Sequence, residues 1–293
     1  MRDEPLVFGD LSGTLHLPSG TARHPALIGL HPADGASRDH VLFLHLARVL
    51  PPIGIAVLRF DRRAGAEDRF DVQADDVLAA VAALASRDDI DERAIGLWGF
   101  SQGAWVAPLA ASRSGAIAFL VLLASTGVTP ARQMRYGTAR HARAADASDD
   151  DVRDLLAFRG LYEDYHRGRI PLADMRRAID AASRTSWFGH AYVRREPAPP
   201  GAWATLDFDP GPVFARVRVP TLLFYGEDDE WQPIDESIAV WRATGKDDLT
   251  IVRLPGTGHG PIVAGADGSG SVSTLYTDTL VAWLQRATSR PGL

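Results

Sequence analysis

A mostly parallel β-sheet with helices on both faces is the architecture this 293-residue sequence predicts. Short runs rich in Val, Ile and Leu, bounded by Gly, Pro or charge, recur along the chain and read as buried core strands. Helical patterns with apolar residues three or four apart separate them. Parallel neighbours need long crossovers, so a strict alternation of strand and helix points to a parallel sheet. One long interruption of that alternation, over residues 128–209, marks an insertion.

Taken in order, residues 6–17 predict an antiparallel hairpin that turns through 10–13. Core strands are expected at 25–30, 53–60, 94–98, 117–124, 219–225 and 249–254. Helices are expected over 39–50, 72–86, 101–112, 233–244 and 273–287. Within the insertion no strand-like run occurs, and charged helical stretches at 130–145, 149–167 and 171–184 predict a helical cap. Residues 194–212 carry Pro197, Pro199, Pro200, Pro210 and Pro212 and read as an extended return. The domain reading is a core of 1–127 and 210–293 with a cap of 128–209.

Composition narrows the function. With 46% hydrophobic and 23% charged residues the chain is globular in type and long enough to bury its own core. It has no cysteine, which excludes thiol nucleophiles, cysteine metal sites and disulfides. The net charge of −6 and pI near 5.8 give no basic footprint for nucleic acid or anionic lipid. No apolar run is long enough to span a membrane and the first residues lack signal-peptide order, so a cytoplasmic location and a small-molecule partner are expected. Oligomeric state is left open. Lys246 is the sole lysine, an imbalance read as base composition rather than function.

The strongest local signal is Gly99-Phe100-Ser101-Gln102-Gly103 between a strand and a helix. A sharp turn there would expose Ser101 Oγ as a nucleophile, while its flanking glycines let backbone pass closely. The Gln102 N–H would face a developing oxyanion at the helix start. The competing reading is a Gly-rich turn with Ser101 as a helix cap. His259, in Pro255-Gly-Thr-Gly-His-Gly-Pro261 after the last strand, has the best setting for a base. The other histidines read as surface or helix residues. A carboxylate that orients the imidazole is expected among residues 227–230, and spacing alone does not choose among the four. A second oxyanion donor is expected at Ala33, in the turn after residues 25–30. His31 reads as a turn organiser, and Asp61-Arg62-Arg63 as structural ion pairs in preference to an anion site.

These residues carry a family resemblance. Phe60-Asp-Arg-Arg63, the segment from Ile95 through Ser101 to Pro108, and His31 to Asp39 resemble motifs of bacterial serine esterases of the α/β-hydrolase superfamily, near its dienelactone-hydrolase and acyl-peptidase branches. The likeness covers nearly the whole chain outside the insertion. Pro32, Ala64 and Ala104 depart from it at positions usually glycine. The order serine, acid, histidine is that family's order and neither common serine-protease order. A serine nucleophile excludes the branches that use aspartate.

What the resemblance implies is an α/β-hydrolase fold with the cap inserted after the sixth strand, above Ser101. It implies Ser101 as nucleophile, His259 as base and Asp229 as its orienter, the last from its distances to Gly226 and Pro233. Ala33 and Gln102 would form the oxyanion hole, with no metal or organic cofactor. Trp187, Phe188, Tyr192 and Trp203 are candidates for an apolar acyl or alcohol site, against the alternative that they pack the cap. Arg132, Arg135, Arg140 and Arg143 read as solvated helix faces. The expected activity is hydrolysis of a small carboxylic ester through an acyl-enzyme. The alternatives are acyl transfer or cyclisation, and a non-catalytic binding protein.

Overall fold

The structure is a computed structural model that describes residues 1–264 and 270–289. The expected 210–293 core portion therefore includes short stretches outside the described residues. An eight-stranded sheet organises the chain, in the order β1-β2-β4-β3-β5-β6-β7-β8. Its strands are β1 (Arg2–Phe8), β2 (Leu11–Leu17), β3 (His24–Leu30), β4 (Ala56–Phe60), β5 (Ile90–Phe100), β6 (Phe119–Leu123), β7 (Thr221–Gly226) and β8 (Leu249–Leu254). From β4 to β8 every neighbouring pair is parallel, and the β1–β2 hairpin joins antiparallel to β4.

Alternation within each strand divides the core. Leu120 and Leu122 of β6 point into one apolar cluster, while Phe119, Val121 and Leu123 point into the other. The first cluster is covered by α2 (Phe70–Ala85), α3 (Gly103–Ala111), α7 (Gly211–Phe214) and α8 (Ile234–Arg242). The second is covered by α1 (Val41–Val49) and α9 (Thr274–Thr288). Helices on both faces thus follow from strands that are apolar on both faces.

Several elements depart from expectation, among them the strand expected over 53–60, whose first residue ends a short 3-10 helix, Pro51–Ile53, and which becomes β4 only from Ala56. The first hairpin turns at Gly9, where φ is +53°, earlier than the expected 10–13. Strand β5 begins at Ile90, earlier than the expected 94, where the charged Asp91, Glu92 and Arg93 at its wetter end hide the strand from the apolar pattern. A small hairpin of β9 (Ile262–Ala264) and β10 (Gly270–Val272) has no counterpart in the apolar pattern.

Between β6 and β7 lie α4 (Pro130–Ala144), α5 (Asp149–His166) and α6 (Leu172–Ala182), followed by a short 3-10 helix, Ser186–Ala191. Their apolar faces form a cluster of their own around Leu155, Phe158, Tyr165, Met175 and Ile179. The two longest of these helices start at side-chain caps. Thr129 caps α4 ahead of Pro130, and Ser148 with Asp151 forms a reciprocal capping box on α5.

Candidate active site

Strand β5 ends in a turn that the sequence cannot continue as helix. Ser101 adopts φ +53°, a left-handed conformation unusual for a residue with a side chain, so α3 starts at Gly103 and not at Ser101 as expected. The two glycines allow it. A Cβ on Gly99 would lie 2.3 Å from the Gly103 carbonyl oxygen, and one on Gly103 would lie 2.6 Å from that of Leu30. The Ser101 amide donates to the Leu123 carbonyl at 3.0 Å, which anchors the turn to β6.

Two loops meet this turn. His259, after β8, brings Nε2 to 2.8 Å from Ser101 Oγ and Nδ1 to 2.9 Å from Asp229 Oδ2. An ionised carboxylate can only accept, so Nδ1–H donates to Asp229 and Nε2 accepts the serine hydroxyl. Of the four acids after β7, Asp229 is the buried one, 2% exposed, and its Oδ1 also accepts from the Trp231 amide at 2.8 Å. Gly226 permits the approach, since a Cβ there would sit 2.0 Å from the Gly258 carbonyl oxygen.

The turn after β3 lies alongside. Neither the Ala33 nor the Gln102 amide donates to an acceptor among the described residues, and both residues line the cavity that holds Ser101 and His259. Arg62 ties the two together. Its Nη1 donates to the Pro32 carbonyl at 2.9 Å and to Gln102 Oε1 at 3.1 Å, and Nη2 donates to the Ala33 carbonyl at 3.1 Å. The Pro32 carbonyl and the Ala33 N–H belong to one peptide plane and point in opposite directions, so fixing the oxygen also fixes the hydrogen. Gln73 Nε2 adds a bond to Gln102 Oε1 at 3.1 Å.

Of the three neighbouring charges read as ion pairs, two behave so, while Arg62 binds carbonyls instead. Asp61 pairs with Arg38 and Arg63 with Asp76. His31 is 3% exposed, edge-on to Phe43 and Phe60 at 5.0 and 5.1 Å. Burial, helped by the Arg62 charge, pushes its pKa down to about 4, so the ring is neutral and packs the turn.

The cavity has a volume of about 690 Å³. It runs from Ser101 and His259 to Met134, Tyr162, Tyr192 and Trp203 of the inserted helices and their return segment. Of the four aromatic candidates, Tyr192 and Trp203 line it. Trp187 and Phe188 instead pack against Phe158 in the cluster of the inserted helices, with ring centroids 5.6 and 5.9 Å away. The four arginines on α4 do not line it, and Arg135 is clamped to Glu163. Sequence reasoning missed Arg159, His166 and Trp231 as lining residues and the carbonyl grip of Arg62. Among the described residues, no group of three His, Asp or Glu could hold a metal ion, and no helix is long and apolar enough to cross a membrane.

A parallel sheet with helices on both faces, a strained serine after β5, an acid after β7 and a histidine after β8 define a serine-centred α/β enzyme scaffold. The chain belongs to the alpha/beta hydrolase family, whose model matches residues 27–267, and this membership supports an enzyme of the hydrolase kind. No curated protein matches the sequence. Solved structures share the fold. The alpha/beta hydrolase GrgF from Penicillium sp. sh18 is 19% identical with a TM-score of 0.64, covering 99% of both chains. DcsB in complex with its substrate analogue is 17% identical with a TM-score of 0.63 and the same coverage. Est1E from Butyrivibrio proteoclasticus is 16% identical with a TM-score of 0.62, covering 99% of this chain and 100% of its own.

Proposed function

We propose that the protein hydrolyses a small-molecule carboxylic ester by two-step acyl transfer through a Ser101–His259–Asp229 triad. The observation that carries this reading is the continuous pair of hydrogen bonds, 2.8 and 2.9 Å, from Ser101 through His259 to Asp229. His259 Nε2 takes the serine proton as Oγ adds to the ester carbonyl, and Asp229 stabilises the resulting imidazolium. The Ala33 and Gln102 amides receive the oxyanion. The imidazolium then protonates the departing alcohol. A water molecule, deprotonated by the same ring, repeats the addition on the acyl-enzyme and releases the acid.

The segment 128–209 acts here as a cap, supplying Tyr192 and Trp203 as apolar walls for the acyl or alcohol part. The test is steady-state hydrolysis of p-nitrophenyl esters of graded chain length, with the acid product identified. Turnover that disappears in Ser101→Ala supports the reading. Equal background rates for both proteins would overturn it. Release of a transferred or cyclised product in place of the free acid would assign the same acyl-enzyme to transfer or cyclisation.

A further inference from the structure

The cavity contains a second polar feature that the ester chemistry does not use. Arg159, on α5, is 1% exposed, yet it lines the cavity shared with Ser101. Its Nη1 donates to the Ala191 carbonyl at 3.2 Å, while Nε and Nη2 are buried with no hydrogen-bond partner. Both ring nitrogens of His166, about two turns along the same helix, are also buried without a partner, and the residue lines the same cavity.

The geometry of the unused edge is informative. Nε and Nη2 form the side of a guanidinium that grips both oxygens of a carboxylate, and Arg69, Arg87 and Arg167 use it that way on Asp71, Asp89 and Asp207. The nearest acid cannot serve Arg159 in this role. Glu163 is fully buried and its two oxygens are already held by Arg135 Nε at 2.9 Å each, with Arg167 a further 3.8 Å away. The rings of Tyr162 and Trp203 lie 5.6 and 5.5 Å from the Arg159 guanidinium carbon and cover it. A buried guanidinium with its bidentate edge unmet is costly, and a planar anion is the chemistry that satisfies it. Asp68 and Asp34 also line the cavity, and burial, with the neighbouring Glu67 charge, pushes the Asp68 carboxyl up, an effect that Arg62 and Arg194 only partly offset.

We infer that Arg159 is a specificity residue that binds a carboxylate on the substrate, making the preferred ester an acidic one, with His166 donating a second hydrogen bond. The carboxylate displaces the Trp203 ring to reach the guanidinium edge, and Trp203 is itself partly exposed. The inference rests on the esterase reading for its chemistry but not for its binding site.

Two matched pairs test it and show which half of the ester carries the acid. Mono-p-nitrophenyl adipate is compared with p-nitrophenyl hexanoate, and p-carboxyphenyl hexanoate with phenyl hexanoate. In the wild type one acidic member is expected to exceed its neutral partner in kcat/KM by about tenfold or more, mainly through KM. Arg159→Met should bring that ratio to about one, and Arg159→Lys, with charge but no bidentate edge, to an intermediate value. In parallel, Ser101→Ala protein is titrated with adipate and with p-hydroxybenzoate by calorimetry, and binding of one should vanish when Arg159→Met is added. Binding without turnover of any ester would retain the anion site and overturn the esterase reading. Turnover with equal rates on both pairs, or an acid preference unchanged in Arg159→Met, would overturn the anion site. Neither turnover nor binding would overturn both.

Discussion

Asp229 is chosen over its three acidic neighbours by burial and by two oxygens each with a task, one on His259 and one on the Trp231 amide. Asp229→Asn would keep the shape but favour the wrong histidine tautomer, so kcat for ester hydrolysis should fall by about 10³–10⁴-fold with the circular dichroism spectrum unchanged. Arg62 acts one step removed, through the peptide that aims the Ala33 amide. Arg62→Gln should lower kcat about tenfold to a hundredfold while KM changes little, the split expected when an oxyanion donor is misaligned. An equal rise in KM with constant kcat would instead assign Arg62 to substrate binding. At this scale the sequence was readable where a residue type fits only one task, as for Ser101 between its glycines or His259 in its loop. Asp61-Arg62-Arg63 shows the limit. Charge pattern announces ion pairs, which Asp61 and Arg63 make, but a guanidinium on backbone carbonyls leaves no mark in composition.

Among the elements, β5 and α3 form the most constrained unit, because strand, strained turn and helix must pass within van der Waals limits of β3. Gly103→Ala tests this against helix propensity. Propensity alone favours alanine in a helix by about 1 kcal/mol, whereas the added Cβ would lie 2.6 Å from the Leu30 carbonyl oxygen. Backbone cannot retreat as a flexible side chain can, so the variant should lose about 1–3 kcal/mol in urea unfolding. A gain in stability would show that the turn has slack. Core strands were legible because both faces are apolar, and helices because their apolar residues recur. The polar start of β5 and the three-residue strands β9 and β10 were not, since neither carries enough apolar residues to show a period. On α5 a signal did exist. Arg159 and His166 fall on the stripe of Leu155, Phe158, Tyr162 and Tyr165, where a solvated charge does not belong.

For the whole molecule, buried histidines set the response to acid. Burial lowers the pKa of His16, His40, His45 and His166 as well as that of His31, which falls to about 4. The unfolded chain therefore binds these protons at a higher pH than the folded one. Stability is complete above the ordinary histidine value near 6.5 and is lost as pH falls from there toward 4, His31 alone accounting for about 3 kcal/mol at the lower end. Urea midpoints should decline steadily from pH 7 to 4.5, and His31→Gln should flatten the slope. A midpoint constant over that interval would contradict the buried, neutral state of these rings. The central claim is the proposal that the fold presents Ser101 as an activated nucleophile in the cavity beside the inserted helices. The most direct measurement is intact mass after exposure to a fluorophosphonate, which bonds only to a serine whose hydroxyl is activated. A single adduct on the wild type that is absent from Ser101→Ala, and much slower to form in His259→Ala, is the predicted result. An adduct that persists in Ser101→Ala, or none on the wild type, would contradict it.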